Sequence, residues 1–221
     1  RDLVYYDNAM DMETCFDKYS FQEHKWHQTP NGDMEWVYML NRQGYLVDLA
    51  IAFYLTKKEK FFEKWKLIVF DFIETNEAEI SHPEASWRVL DAGIRLMNWI
   101  KSLTYLPLDK LTEVEKARIH ASMKKHADYI RSHLHEKHLL SNWGVLAVSG
   151  LLSFVYFDTK ELEMREWAKK TLMQQAALQF TPKGLHWEQS PLYHHEVVMC
   201  YAYLYQVAET LDNGDSDVWK N

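Results

Sequence analysis

Four short stretches of the chain carry side chains able to act on a bound ligand. The first, Lys137-His138-Leu139-Leu140-Ser141-Asn142-Trp143-Gly144, is a polar loop between two helical patterns. A helix start offers free backbone N–H groups and the positive end of the peptide dipole. Asn142 therefore has two readings: a cap for the helix that follows, or a carboxamide aimed at a bound carboxylate. Trp143 would stand beside it as a packing or stacking wall, and His138 is the histidine best placed to face the same spot. The second stretch, Gly184-Leu185-His186-Trp187-Glu188-Gln189-Ser190-Pro191-Leu192-Tyr193-His194, leaves a turn and enters a helix. Neighbours on a helix point about 100° apart, so Tyr193 and His194 can border one groove without stacking on one face. Glu188 and Gln189 can cap or brace that helix start, or reach a ligand.

The third stretch runs from Ser86 to Trp99. Arg88 and Arg95 are two turns apart on one helical face, and two guanidinium forks on one stripe suit carboxylates or sulfates. Asp91 offers the competing reading, because it lies within salt-bridging distance along the helix of both arginines. The fourth is Asn41-Arg42-Gln43, at a helix interruption before Gly44, where polar side chains can cap or line a cleft. The histidines of His133-Leu134-His135-Glu136-Lys137-His138 and His194-His195-Glu196 invite a metal. The H-E-x-x-H pattern, however, needs histidine where Leu139 stands. Neither a metal nor another cofactor is expected. Gly-rich phosphate loops and nucleophile elbows are absent from the sequence.

Helices must position these stretches. Seven Gly and five Pro in 221 residues disfavour an all-β fold built on tight turns. The chain to about residue 30 is irregular in pattern, after which three- and four-residue apolar steps dominate. They run through Trp36, Val37 and Leu40, then Tyr45 to Phe53, then Phe61 to Ile73. Ser81-His82-Pro83-Glu84 restarts a helix that includes Trp87, Leu90, Ile94, Met97 and Ile100, closed by Pro107. Further helices are predicted from Thr112 towards His133, from Ser141 through Leu152, from Leu162 to Phe180 and from Ser190 to Leu211. About six or seven helices joined by short loops must lie antiparallel to their neighbours. Helix pairs recur at roughly fifty residues, which fits a ring or solenoid of hairpins. The expected fold is all-α, an incomplete α/α toroid over residues 31–221 with an irregular segment 1–30 packed on it. A compact bundle is the alternative.

Composition narrows the function. Hydrophobic residues make up 47% of the chain, enough for a sizeable core. A net charge of −7 argues against a nucleic-acid surface, so a polyanion would have to meet a local basic cleft. Core packing explains many of the nine Trp and thirteen Tyr, and such a supply also suits a groove that stacks on sugar rings. Cys15 and Cys200 form neither a disulfide framework nor a zinc spacing. No apolar run reaches membrane-spanning length, so no membrane partner is expected. The N-terminus does not read as a signal peptide, and Arg1 in place of Met points to processing or a cut chain. The polar run Asp212-Asn213-Gly214-Asp215-Ser216-Asp217 reads as a loop after a helix.

Taken in order, Trp36 to Asn41-Arg42, Trp87-Arg88…Gly93-Ile94-Arg95…Asn98-Trp99, Ser141-Asn142-Trp143 and Gly184…Glu188-Gln189-Ser190…Tyr193-His194 resemble the α/α-toroid domain of heparinase II/III-type polysaccharide lyases, heparinase III above all. The resemblance covers nearly the whole chain after residue 30. It implies β-elimination on a uronate-containing polysaccharide. In that role Asn142 neutralises the uronate carboxylate, and Tyr193 serves as acid, or as acid and base in one. A free phenol titrates at about 10, so it is a ready acid at neutral pH and needs nearby positive charge to act as a base. Arg88, Arg95 or a histidine could supply that charge. Arg42, Arg88, Arg95, His138, Trp143, Glu188, Gln189 and His194 become the expected substrate contacts, and an anionic polysaccharide or oligosaccharide such as heparan sulfate the partner. The family pairs this toroid with a C-terminal β-sandwich that supplies a further histidine and sometimes metal-binding residues. This chain shows no such half, and by itself is expected to be inactive or very weakly active. The habit of the family points to the periplasm or the cell exterior. Two other classes stay open: a glycoside hydrolase using carboxylates among Glu84, Asp91 and Glu188, and a non-catalytic carbohydrate-binding helical domain.

Overall fold

A computed structural model of the chain describes residues 2–5, 8–11, 19–20, 25–76, 82–158, 160–211 and 214–219. Beyond a small sheet at the N-terminal end, the described residues form helices and the turns that join them. Each helix starts and stops for local reasons. In α1 (Met34–Arg42), the Asp33 carboxylate accepts from the N–H of Glu35 at 2.9 Å, and Gln43 ends the helix in a left-handed conformation. Left-handed Lys57 closes α2 (Tyr45–Thr56) before α3 (Glu59–Thr75). The restart expected near Pro83 is shorter than its apolar pattern suggests. Pro83–Ser86 forms one turn, α4, the backbone opens at Trp87 and Arg88, and α5 (Val89–Leu103) begins afresh. Thr112 and Glu115 form a reciprocal capping box on α6 (Glu113–His133). The short α7 (Glu136–Leu139) leads to α8 (Asn142–Phe157), α9 (Leu162–Gln179) and α10 (Pro191–Thr210).

The segment expected to be irregular holds a three-stranded antiparallel sheet: β1 (Asp2–Tyr5), β2 (Asn8–Asp11) and β3 (Tyr19–Ser20). Its strands are too short to announce themselves by alternation. It meets α1 and α2, with the Tyr19 ring edge-on to Trp36 at 5.7 Å.

The helices stand in two layers of hairpins. α2, α5, α8 and α10 pack successively side by side, and α3, α6 and α9 back α2, α5 and α8. The tightest crossing is α5 on α8. A Cβ on Gly93 would lie 2.3 Å from the Ala147 Cα, and one on Gly150 2.1 Å from the Gly93 carbonyl oxygen. Only hydrogen fits there. The two helices run the same way: Arg88 meets Trp143 at their starts, while Ile100 and Leu103 share a cavity with Phe154 and Phe157 at their ends. Two positive helix ends are thereby collected on one side of the molecule.

Most of the tryptophans are core. Trp26, Trp36, Trp65, Trp87 and Trp99 are buried. Where a core tryptophan carries its N–H inward it has an acceptor: Ser102 Oγ for Trp65, the Asn76 carbonyl for Trp87 and Gln43 Oε1 for Trp99. Trp143 and Trp187 stay exposed, at 40% and 49%. No helix among the described residues is long and apolar enough to cross a membrane.

Candidate active site

The opening of the chain between α4 and α5 sets the first half of the site. Arg88 is extended there, so it flanks α5 instead of riding on its stripe. Asp91, in the first turn of α5, is fully buried and accepts from Arg88 Nε at 2.6 Å, Arg88 Nη2 at 3.2 Å and Arg42 Nε at 2.8 Å. One carboxylate between two guanidinium groups, at a helix start, leaves an excess of one positive charge. The Arg88 guanidinium lies 3.2 Å from the Tyr38 ring centre and 5.2 Å from that of Trp143. Both arginines remain partly exposed, at 22% for Arg42 and 17% for Arg88. Asn98 fixes the Arg42 backbone by donating to its carbonyl at 2.9 Å.

Arg95 does not join them. The expectation of a two-arginine stripe fails because Arg95 lies wholly in the core. Its Nε donates to His126 Nε2 at 2.8 Å, and its Nη1 donates to the carbonyls of Asn41 at 2.7 Å and Ser86 at 3.1 Å. Its guanidinium lies against Phe72 and Trp87. Burial pushes it down to about 9, with Asp91 acting in the opposite direction. His126 accepts from Arg95 at one nitrogen and faces the Ser122 carbonyl at 2.7 Å with the other, which fixes the neutral tautomer. Burial first, and Arg95 second, hold its pKa well below the usual range. Arg95 is therefore a strut: it ties Asn41, next to Arg42, to Ser86, two residues before Arg88.

Asn142 occupies the first position of α8. Ser141 stands at the cap position, but its hydroxyl makes no capping bond. The cap comes from the loop before α10. Glu188 accepts from the Asn142 backbone N–H at 2.9 Å and from Asn142 Nδ2 at 2.8 Å. Two buried glutamines on α9 hold the loops that meet here. Gln179 Nε2 donates to the carbonyls of Leu139 and Ser141, and its Oε1 pairs with His186 Nε2 at 2.8 Å. Gln175 donates to the His138 carbonyl. The packing is so close that a Cβ on Gly144 would sit 2.1 Å from that carbonyl oxygen. His138 is buried, and its Nδ1 accepts from the His135 N–H, which turns that side of the ring into its own short helix. Burial lowers its pKa, with Lys137 and His135 adding to the effect.

The start of α10 completes the arrangement. Gln189 is left-handed at φ 55, an uncommon state for a non-glycine residue, and Ser190 Oγ then accepts from the Tyr193 N–H at 3.3 Å. Tyr193 is 45% exposed, and its hydroxyl is bound to no other described residue. His194 is half-buried, edge-on to Phe180, which also meets His186. The Nδ1 atoms of His186 and His194 are buried without a partner. Burial lowers the pKa of His186, with Glu188 and His194 acting on it in opposite directions.

The structure thus gathers Arg42, Arg88, Trp143, Asn142 and Glu188 into one chain of contacts. It places Tyr193 and His194 on the helix that follows the Glu188 loop, and it removes Arg95. The salt bridge of Asp91 with Arg88 is the competing reading that the helix spacing offered, whereas sequence reasoning missed Tyr38, Gln175, Gln179 and Arg42 as the second partner of Asp91. The signal for the glutamines was available: Gln175 and Gln179 fall on the buried stripe that carries Met164, Ala168 and Leu172, and a polar residue on such a stripe needs a buried partner.

Comparison with known proteins assigns the family. The Heparinase II/III N-terminus family matches residues 5–216, and the chain belongs to it. Among solved structures, it is similar to the heparan sulfate lyase HepC from Pedobacter heparinus, with a TM-score of 0.76 and 18% identity over 91% of this chain and 32% of that one. A heparinase III structure gives a TM-score of 0.75 at 19% identity over 91% of this chain and 31% of that one. The heparinase III BT4657 gene product gives 0.72 at 18%, over 90% and 34%. This chain spans about a third of the length of each. No curated protein matches the sequence.

Proposed function

We propose that the chain is the helical part of a polysaccharide lyase that cleaves a uronate-containing polymer by β-elimination. The observation that carries this reading is the Asn142 carboxamide, held at the start of α8 by Glu188 and followed by Trp143, whose ring the Arg88 guanidinium approaches at 5.2 Å. Elimination makes three chemical demands. The C5 hydrogen of a uronate is only weakly acidic, so its carboxylate must be neutralised while charge builds on it. A base must take that proton, and an acid must protonate the C4 oxygen as the C4–O bond breaks and the C4–C5 double bond forms. Asn142 retains a second Nδ2 hydrogen for the carboxylate, at a helix end that favours negative charge. Tyr193, exposed and free at its hydroxyl, serves as the acid, or as acid and base in turn. Arg88 and Arg42 hold further anionic groups of the polymer, and Trp143 stacks against a sugar ring. The solved relatives are about three times longer, and the rest of a full-length protein supplies what further groups the reaction uses.

Tyr193→Phe in the full-length protein tests the assignment. Turnover on the responsive uronate polymer falls on the order of a thousandfold, while binding of that polymer is kept. Turnover unchanged from wild type would overturn it.

A further inference from the structure

The geometry points to Glu188 as the positioning residue for Asn142, fixing which side of the carboxamide faces the substrate. The inference rests on the reading of Asn142 as the group that receives the uronate carboxylate. Glu188 was expected to touch substrate, yet both of its oxygens are engaged by Asn142, at 2.9 Å to the backbone nitrogen and 2.8 Å to Nδ2. A carboxylate only accepts hydrogen bonds. It can therefore face the Nδ2 side of the amide and not the Oδ1 side, since a flipped amide would set two acceptors against each other with no proton between them. One Nδ2 hydrogen is consumed, and the other is directed away from Glu188 with its orientation set. The negative charge of Glu188 itself opposes a second anion. It is offset by the α8 start that it caps, with the Arg88 guanidinium 5.2 Å from the ring centre of the neighbouring Trp143. What Glu188 adds is orientation, not attraction.

Two further observations separate this from simple helix capping. The residue in the ordinary capping position, Ser141, has the right side chain and does not use it. And the loop that carries Glu188 is held by the same residue that holds the Asn142 loop. Gln179 bonds the Ser141 and Leu139 carbonyls on one side and His186 on the other, while its own carbonyl accepts from the Trp187 N–H at 2.8 Å. Two loops far apart in sequence are registered to one glutamine, so the Glu188–Asn142 spacing is set from both ends.

The test is a double-mutant cycle in the full-length protein. Glu188→Gln is expected to lower kcat on the order of 10- to 100-fold, the scale of a misaligned group, with KM changed less than about threefold. Glu188→Asp, which stays an acceptor, recovers part of the loss. On an Asn142→Ala background, Glu188→Gln slows turnover no further. A loss carried mainly by KM, or a double variant slowed by the product of the two single effects, makes Glu188 an independent substrate contact and overturns the inference. Hydrogen exchange of the peptide covering residues 139–146 reads the clamp without turnover: Glu188→Ala speeds exchange at the Asn142 amide. Unchanged exchange overturns the inference whatever the activity. Wild-type turnover by Asn142→Ala with faster exchange in Glu188→Ala would instead keep the clamp and sink the proposed role of Asn142.

Discussion

Arg88 stands just before α5 and Arg95 in the middle of it, and they work in different media. Arg88 lies at the rim, on Tyr38, sharing the Asp91 carboxylate with Arg42 and reaching towards Trp143. Arg95 lies beneath, with carbonyls and a neutral imidazole as partners and aromatic rings around it. The same side chain is a partly exposed charge in one place and a structural strut in the other. The rim is also shaped from below, because the two carbonyls that Arg95 grips belong to Asn41 and Ser86, beside the two rim arginines.

The sharpest way to break this contrast is to change each region and compare activity with stability. At the rim, Asn142→Ala in the full-length protein lowers kcat about 100- to 1000-fold, the usual cost of one lost donor to developing negative charge, with an unfolding midpoint near that of wild type. A fall in stability with no separate fall in kcat would make Asn142 a strut as well. In the core, Arg95→Met leaves two carbonyls and His126 Nε2 without their donor, and denaturant unfolding then reports a loss of about 3 kcal/mol. A loss under about 1 kcal/mol would deny Arg95 its structural role.

His126 gives the contrast a pH dependence. Native His126 stays neutral well below the ordinary range, whereas the unfolded imidazole takes up its proton near 6.5. The unfolded state then holds more protons, so this contribution is fully present above about 6.5 and declines as pH falls, by about 1.4 kcal/mol per unit. Between pH 6.5 and 5 wild type loses roughly 2 kcal/mol more than His126→Gln, which can still accept from Arg95 without titrating. Equal slopes for the two proteins would contradict the buried neutral tautomer. The smallest effect is at Arg88. Lysine keeps the charge but not the flat fork that covers Tyr38 and grips Asp91, so Arg88→Lys raises KM about fivefold with little change in kcat.

Much of this was legible in the sequence, and what was not has physical causes. Helical periodicity gave the main helices because their buried faces are long and regular, and the polar loops at Asn142 and Tyr193 stood out as helix starts. The break at Trp87–Arg88 was hidden because Trp87, Leu90 and Ile94 keep helical spacing across it. Arg95 misled because its charge was read before its place. Ala92, Arg95 and Trp99 fall on one face, all buried, and that stripe was the available sign that Arg95 points inward. The Glu188–Asn142 bond joins residues 46 apart in sequence, and no local pattern reports such a pairing. The N-terminal sheet escaped because strands of two to four residues carry almost no periodic signal.

The central claim, that this chain serves an elimination, is tested most directly by the bonds made in the product. Full-length protein incubated with a panel of uronate polymers should shorten one of them while the absorbance of an unsaturated uronate rises in step with the new chain ends. Chain shortening without that absorbance would mean hydrolysis, and would contradict the account.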